Sequence, residues 1–415
     1  MNLFENVLIL SSFLVEVVVL FFCEKKLWGT VITPLNSLMI PYTIVLLITV
    51  SLPKSLGFVE FYYPSILIWS VGLVVFFIPS LLLALWSYKM NIDFDYHVKE
   101  PISTKPLVIF SILLLFFFAF RFFFAQRMAQ VAIGSKEFAS DFSNFGVFGH
   151  IMVSLLALEI LWIFMYSKGK RIYLFILAGI IIITVLNQVK SWMLIPILAG
   201  LLMRILTNKT RLKVKIIIPI IIGGFAFFYL SNYLTLVIAG DSELSLDLTE
   251  WISVHFLHYL TSGLMGLSVD AQQGLWETSD PSMIFSPFIN FIQLFIGNPL
   301  GSPVNPFFLD SGVDGTNVRT FFGTIFLYLP MYFSVIYVLL ISFVFYQFRM
   351  LNLLTKNICI AMLDIWFCIL LFMGWFDFYF QTLNSLEVPF WIVLLMFFNN
   401  FMNKIDFKLK LSTHK

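Results

Sequence analysis

Hydrophobic residues in this chain run nearly unbroken for about 20 positions at a time, many times over, with no strict every-second alternation of a half-buried strand. Runs of that length match the hydrocarbon thickness that an α-helix crosses, whereas barrel strands alternate over about 10 residues. Eleven segments of this kind are predicted, at 3–23, 31–52, 62–86, 106–124, 147–167, 172–188, 191–207, 216–238, 321–347, 357–376 and 385–402. The series is interrupted once, by an acidic stretch rich in Pro, Gly and Asn from about Gly240 to Thr320. Two apolar pieces inside it, Trp251 to Leu267 and Met283 to Ile296, are about 15 to 17 residues long, which suits interfacial or re-entrant helices better than full crossings.

Composition agrees with this reading. Hydrophobic residues make up 60% of the 415 and charged residues 12%, with a mean hydropathy of +0.95, far from a soluble domain with about 25% charge. The expected fold is an all-α, polytopic helical membrane protein of about 11 transmembrane helices. Its expected parts are an N-terminal bundle of about eight helices (1–239), a large external loop (240–320), a C-terminal bundle of about three helices (321–403) and a basic tail (404–415).

Charge sets the expected orientation, because Lys and Arg are retained on the cytoplasmic side. Of the 25 Lys and Arg, an N-out, C-in arrangement leaves only Lys54, Arg121, Arg127, Lys136, Lys190 and Arg319 on or toward the outside. The loop 240–320 then also lies outside. No cleavable signal peptide is expected, since the first segment carries Glu5 and Glu16 and lacks a basic start. Cys23, Cys359 and Cys368 fall in or beside different spans, so neither a disulfide framework nor a metal site is expected. The net charge of +2 and the absence of a basic, aromatic-interleaved face exclude a nucleic-acid-binding reading.

Charged groups within or beside spans are costly without a partner or a wet cavity, so they mark candidate sites. Glu5, Glu16, Glu159, Asp364, Asp377 and Glu387 stand within spans. Arg121, Arg127, Lys190 and Arg319 stand at or near the outer ends of separate helices, where cations are otherwise depleted. Guanidinium forks and a lysine point charge suit an anionic diphosphate headgroup; the plainer reading is snorkelling to lipid phosphates or pairing with Glu137, Asp141 and the acidic loop.

A second constellation occupies Glu250 to Asp270. In a helix His255 and His258 share a face, with Glu250 near that side, and a histidine or carboxylate there suits general-base work on a hydroxyl. The alternative is an interfacial helix whose histidines sit at headgroup depth. His150 is a further outer candidate. Asp93-Phe-Asp95 has the form of a metal-binding D-x-D and Asn208-Lys-Thr210 that of a glycosylation sequon, but both fall on the cytoplasmic side and carry no weight.

The run Asn317-Val-Arg-Thr-Phe-Phe-Gly323, leading from the external loop into a span, resembles a segment of the bacterial Wzy-type O-antigen polymerases, in which an Asn-Val-aromatic-Thr-Phe stretch enters a late helix. Tyr259-Leu-Thr-Ser-Gly-Leu is similar to a Tyr-x-x-Gly-Gly segment of their large loop. The chain departs from that pattern after Thr324, where no acidic-Phe-Gly turn follows, and at Arg319, where many members carry an aromatic residue. The resemblance implies a multi-pass protein of the bacterial inner membrane whose active face is periplasmic. It implies transfer of a growing glycan from undecaprenyl diphosphate to a sugar hydroxyl of a new lipid-linked repeat unit, with no cofactor or metal.

On that reading, Arg121, Arg127, Lys190 and Arg319 hold the diphosphate. His255, His258 or Glu250 takes the acceptor proton, and Trp251, Tyr259, Trp276 and Asn317 contact sugars. A chain-length regulator and a flippase are implied partners, besides the lipid bilayer. An O-antigen ligase, another polyprenyl-diphosphate-dependent glycosyltransferase, a lipid-oligosaccharide flippase or other transporter, and a membrane O-acyltransferase are the competing readings.

Overall fold

The computed structural model describes residues 3–52, 54–101, 103–129, 138, 142, 146–167, 170–187, 190–210, 223, 226, 229–230, 233, 246–274, 280–297, 301–302 and 305–413. Caps, prolines and glycines cut the apolar runs into helices. Thr33 caps α2 (Pro34–Ser51), which follows α1 (Leu3–Trp28), by accepting from the Asn36 N–H at 3.2 Å, with Pro34 in the first turn. Then come α3 (Ile66–Lys89), α4 (Lys105–Ala129), α5 (Val147–Met165), α6 (Arg171–Leu186), α7 (Lys190–Leu206), α8 (Leu246–Gln273) and α9 (Ser282–Ile296). A two-residue hairpin, β1 (Leu309–Asp310) and β2 (Gly315–Thr316), precedes α10 (Phe321–Tyr328), α11 (Met331–Thr355), α12 (Ile358–Phe372) and α13 (Asn384–Thr413).

Among the described residues, eight helices are long and apolar enough to cross a membrane: α1 to α5 and α11 to α13. The chain is a helical, multi-pass membrane protein. The shorter α6 and α7, of 16 and 17 residues, match two further expected segments, and the expected span 216–238 lies outside the described residues apart from isolated positions.

Two segments differ from the expectation. The apolar run 321–347 is not one helix: Leu329 is extended and Pro330 interrupts the run, leaving α10 as a separate, wholly buried eight-residue helix. The stretch around Trp251 to Leu267 forms a 28-residue helix, α8, and its positions 261–271 are all buried. Tight packing at small residues accounts for that burial. A Cβ on Gly263 would meet the Phe376 carbonyl at 2.2 Å, and one on Gly266 the Val318 carbonyl at 2.3 Å.

The chain divides into two compact units, interleaved along the sequence. The first contains Met1–Phe94, Leu212–Met350 and Leu370–Leu383. There α8 packs on α2, and α10 is held between α3 and α9. Gly72 lets the Phe322 ring approach α3 closely, while Trp69 stacks on Tyr42 and meets Phe322 edge-on. The buried Glu24 of α1 accepts hydrogen bonds from Ser80 and from the Tyr346 hydroxyl, meeting the need of an intramembrane charge for partners.

The second unit contains Asp95–Arg211, Leu351–Ile369 and Asn384–Lys415. Its central post is α5, buried from Met152 to Met165 and packed by α6, α7 and α13. Arg204 ends that post by donating to the carbonyls of Ile163, Phe164 and Tyr166 at 3.0, 3.1 and 2.7 Å. Glu159, also buried in α5, has no hydrogen-bond partner on either carboxyl oxygen among the described residues.

Candidate functional site

The first unit collects most of the polar groups that a helical membrane protein would otherwise keep out of its interior. One half of this collection lies on α8. Helical spacing puts Trp251, His255 and His258 on one face. The Trp251 and His255 rings stack with centroids 4.8 Å apart, and the two histidine rings lie 5.8 Å apart.

The β1–β2 hairpin closes over that face. His255 Nδ1 is 4.0 Å from an Asp314 carboxylate oxygen, and His258 Nδ1 is 3.0 Å from Ser311 Oγ. The hairpin is fixed by Gly312, which holds φ +94° and where a Cβ would meet the Gly57 carbonyl oxygen at 2.2 Å, leaving no room for a side chain. The Val59 N–H donates to the Ser311 carbonyl at 3.0 Å.

His258 is buried, and burial lowers its pKa, with Asp314 opposing and His255 adding to the fall. It is therefore neutral near pH 7. The His255 side chain remains one-quarter exposed and Asp314 is more than half exposed, so this pair faces outward from the cluster. Glu250 and Trp251 are exposed one turn earlier on α8.

The other half surrounds Arg319, 2% exposed. Its Nε donates to Asp270 of α8, Nη1 to the Thr316 and Val318 carbonyls at 3.2 and 3.1 Å, and Nη2 to the Phe307 carbonyl at 3.3 Å. The guanidinium is thus already engaged by protein acceptors, and a diphosphate would have to displace them. Its place in the chain makes it a brace for the hairpin exit. Burial raises the Asp270 pKa and Arg319 opposes that rise.

Asp377 completes the group. Its carboxylate accepts from Thr324 Oγ1 at 3.2 Å, the Phe378 N–H at 2.8 Å and Gln381 Nε2 at 3.1 Å. Burial pushes its pKa up to about 6 against the Phe378 and Thr324 hydrogen bonds and the Arg319 charge. Around these groups, Asn305 Nδ2, the Tyr328 hydroxyl and Gln381 Oε1 are buried without a hydrogen-bond partner among the described residues. Orphaned donors and acceptors beside buried charges mark an interior suited to water or to a hydroxyl-rich ligand.

Of the expected sugar contacts, Tyr259 is exposed and stacks on Phe376 at 5.1 Å, and Asn317 Nδ2 donates to the Asn305 carbonyl at 3.1 Å. Trp276 lies outside the described residues, as does the side chain of Lys190. Arg121 and Arg127 belong to the second unit. There Arg121 lies over the Phe148 ring at 4.2 Å, and Arg127 is exposed beside Phe120, Phe123 and Phe124. His150 pairs with Glu387, and the Trp391 indole N–H donates to the His150 carbonyl at 2.9 Å.

Asp270, Ser311, Asp314, Thr324 and Gln381 were not singled out by sequence reasoning. Asp314 belongs to the Asp-Ser-Gly-Val-Asp-Gly turn at 310–315, whose composition announces a hairpin but not its histidine partner. Among the described residues no group of three or more His, Cys, Asp and Glu is arranged to hold a metal ion.

Residues 57–407, which include α8, the hairpin and Asp377, match a family model described as a family of unknown function, DUF6337. The chain belongs to the DUF6337 family. No curated protein matches it. No solved structure matches it either. Membership in DUF6337 therefore fixes kinship over most of the chain and leaves the chemistry to the site itself.

Proposed function

We propose that this protein polymerises lipid-linked oligosaccharide repeat units at the periplasmic face of the bacterial inner membrane. In this reading a sugar hydroxyl of the incoming unit attacks the anomeric carbon of the growing glycan. The new glycosidic C–O bond forms as the bond to undecaprenyl diphosphate breaks, and the hydroxyl proton passes to a base.

The observation that carries the reading is the Trp251–His255 stack with His258 beside it, closed by Ser311 and Asp314. An exposed indole offers a stacking face for a sugar ring. A histidine beside a carboxylate is a suitable acceptor for a hydroxyl proton, an effect typically worth 10²–10⁴-fold. His258, neutral and buried, orients the pair through Ser311. Glu250 is the second candidate base. Arg319 braces the loop, and the expected diphosphate cations Arg121, Arg127 and Lys190 belong to the second unit, so this reading rests on the residues of the first unit alone. The sequence resemblance of the segment Asn317 to Gly323 is consistent with it, but the argument rests on the site.

The test is deletion of the gene in its native host, with surface polysaccharide resolved on a gel and complementation by wild type, His255→Ala, Lys190→Ala and Arg319→Ala. A ladder that collapses to core plus one repeat unit, restored by wild type and not by His255→Ala, is the expected result. Loss of even the first repeat unit would identify a ligase or flippase instead, and an unchanged ladder would end the glycan reading.

A further inference from the structure

In the second unit, the start of α4 and the last apolar turns of α13 enclose a recess that the proposed chemistry does not use. The two helices pack together, and Asn399 and Asn403 each donate Nδ2 to the Ser103 carbonyl at 3.0 Å. Those two helix ends therefore lie at one depth. Between them is a cavity of about 300 Å³ whose apolar wall is formed by Ile109, Phe110, Leu113 and Phe398.

The mouth is cationic. Lys105 lines it and is exposed, and exposed Lys404 follows directly on Asn403, which also lines it. A third lysine stands close by along the chain fold: Lys170 Nζ donates to the Tyr173 hydroxyl at 3.2 Å, and that hydroxyl lies 2.8 Å from Thr104 Oγ1. The neighbouring acid, Glu100, is already paired with Lys209. Along the sequence, Lys404, Lys408, Lys410 and Lys415 face one acid, Asp406, between 404 and 415.

We propose that this groove holds one anionic phospholipid, with an acyl chain against Ile109, Leu113 and Phe398 and its phosphate at Lys105 and Lys404. Burial of the chain favours any phospholipid, because the wall is apolar. The cations then select the headgroup: a phosphatidylglycerol presents net negative charge, while the choline of a zwitterionic lipid brings its own cation to the same lysines. Juxtamembrane lysines strengthen attraction to anionic lipid by about fivefold each, so two give about 25-fold. The inference needs only the membrane-spanning character of α4 and α13, and it stands whatever reaction the first unit catalyses.

The test uses the full-length protein, delipidated in a neutral detergent and titrated with dioleoyl phosphatidylglycerol or dioleoyl phosphatidylcholine under native mass spectrometry. Wild type is expected to bind the first phosphatidylglycerol about 25-fold more tightly, falling to near parity in Lys105→Ala/Lys404→Ala. The control Lys25→Ala/Lys26→Ala, which removes two exposed lysines of the first unit, keeps the preference. Ile109→Trp, which fills the groove from an exposed position, weakens both lipids together. Equal binding of the two lipids by wild type overturns the proposal, as does a preference that survives in the Lys105/Lys404 variant or disappears in the Lys25/Lys26 control.

Discussion

Replacing Asp270 with Asn tests whether the Arg319 network holds the first unit together. The substitution keeps volume and shape but removes the anion to which Arg319 Nε donates. Both side chains are at most 5% exposed, so the guanidinium is left as a buried charge with only carbonyls and the more distant Asp377 to answer it. Breaking such a pair from one side costs about 3–5 kcal/mol. The retained carbonyls of Thr316, Val318 and Phe307 place the change at the low end, about 3 kcal/mol. At about 2–4 °C per kcal/mol for a unit of this size, the melting temperature falls by about 6–12 °C. Thermal unfolding of the detergent-solubilised protein, followed by tryptophan fluorescence, measures it. The double variant Asp270→Leu/Arg319→Met removes both charges and should recover most of the loss, because the penalty lies in the uncompensated partner. A single-variant shift below about 2 °C, or a double variant no better than the sum of the singles, would refute the reasoning.

Other expectations follow from the same geometry. Because the folded-state pKa of Asp377 is raised to about 6, the folded protein binds its proton more tightly than the unfolded chain does. This group's contribution to stability is greatest below the unfolded value, falls as pH rises from about 4 to 6 and is flat above; Asp377→Asn should flatten that dependence in melts taken from pH 4.5 to 8. Gly263→Ala and Gly266→Ala each force a methyl to within 2.2–2.3 Å of a backbone carbonyl, and should destabilise by at least about 1–3 kcal/mol, seen as lost monodisperse protein on size-exclusion chromatography. Glu159→Leu removes a buried carboxyl with no partner among the described residues and should raise the melting temperature of the solubilised protein, by about 1–3 kcal/mol in stability. His255→Ala should lower glycan polymerisation by about 10²–10⁴-fold in membranes supplied with lipid-linked repeat units, with no change in melting temperature beyond about 2 °C.

The lipid-facing helices were legible because membrane solvent imposes a single requirement, length of apolar run, and α1 and α4 meet it with little help from neighbours: 11% and 22% of their spanning windows are buried. The break at Pro330 was not legible. Hydropathy averages over it, and only the packing of α10 against α3 and α9 shows why a short helix there is stable. His255 and His258 could be assigned to one face from spacing alone, since helical periodicity decides it. Their partners Asp314 and Ser311 come from a hairpin more than 50 residues away, and no local rule connects a turn to the helix it closes over. Arg319 drew attention as a cation in an unfavourable place, which was informative, yet Asp270 could be matched to it only once Gly266 had brought the two segments into contact.

Thr320 has a consequence for the order in which the chain is built. It holds φ +67°, a region that β-branched residues avoid, while its hydroxyl caps α10 through the Gly323 N–H and accepts from the Trp69 indole. Its own N–H donates to the Phe376 carbonyl. A turn so set against its intrinsic preference is held by these contacts from outside the segment. One tether is made about 250 residues earlier in synthesis and another more than 50 residues later. The link between the hairpin and α10 thus acquires its full set of tethers only after residue 376 has been synthesised, because the Thr320 N–H has its acceptor there.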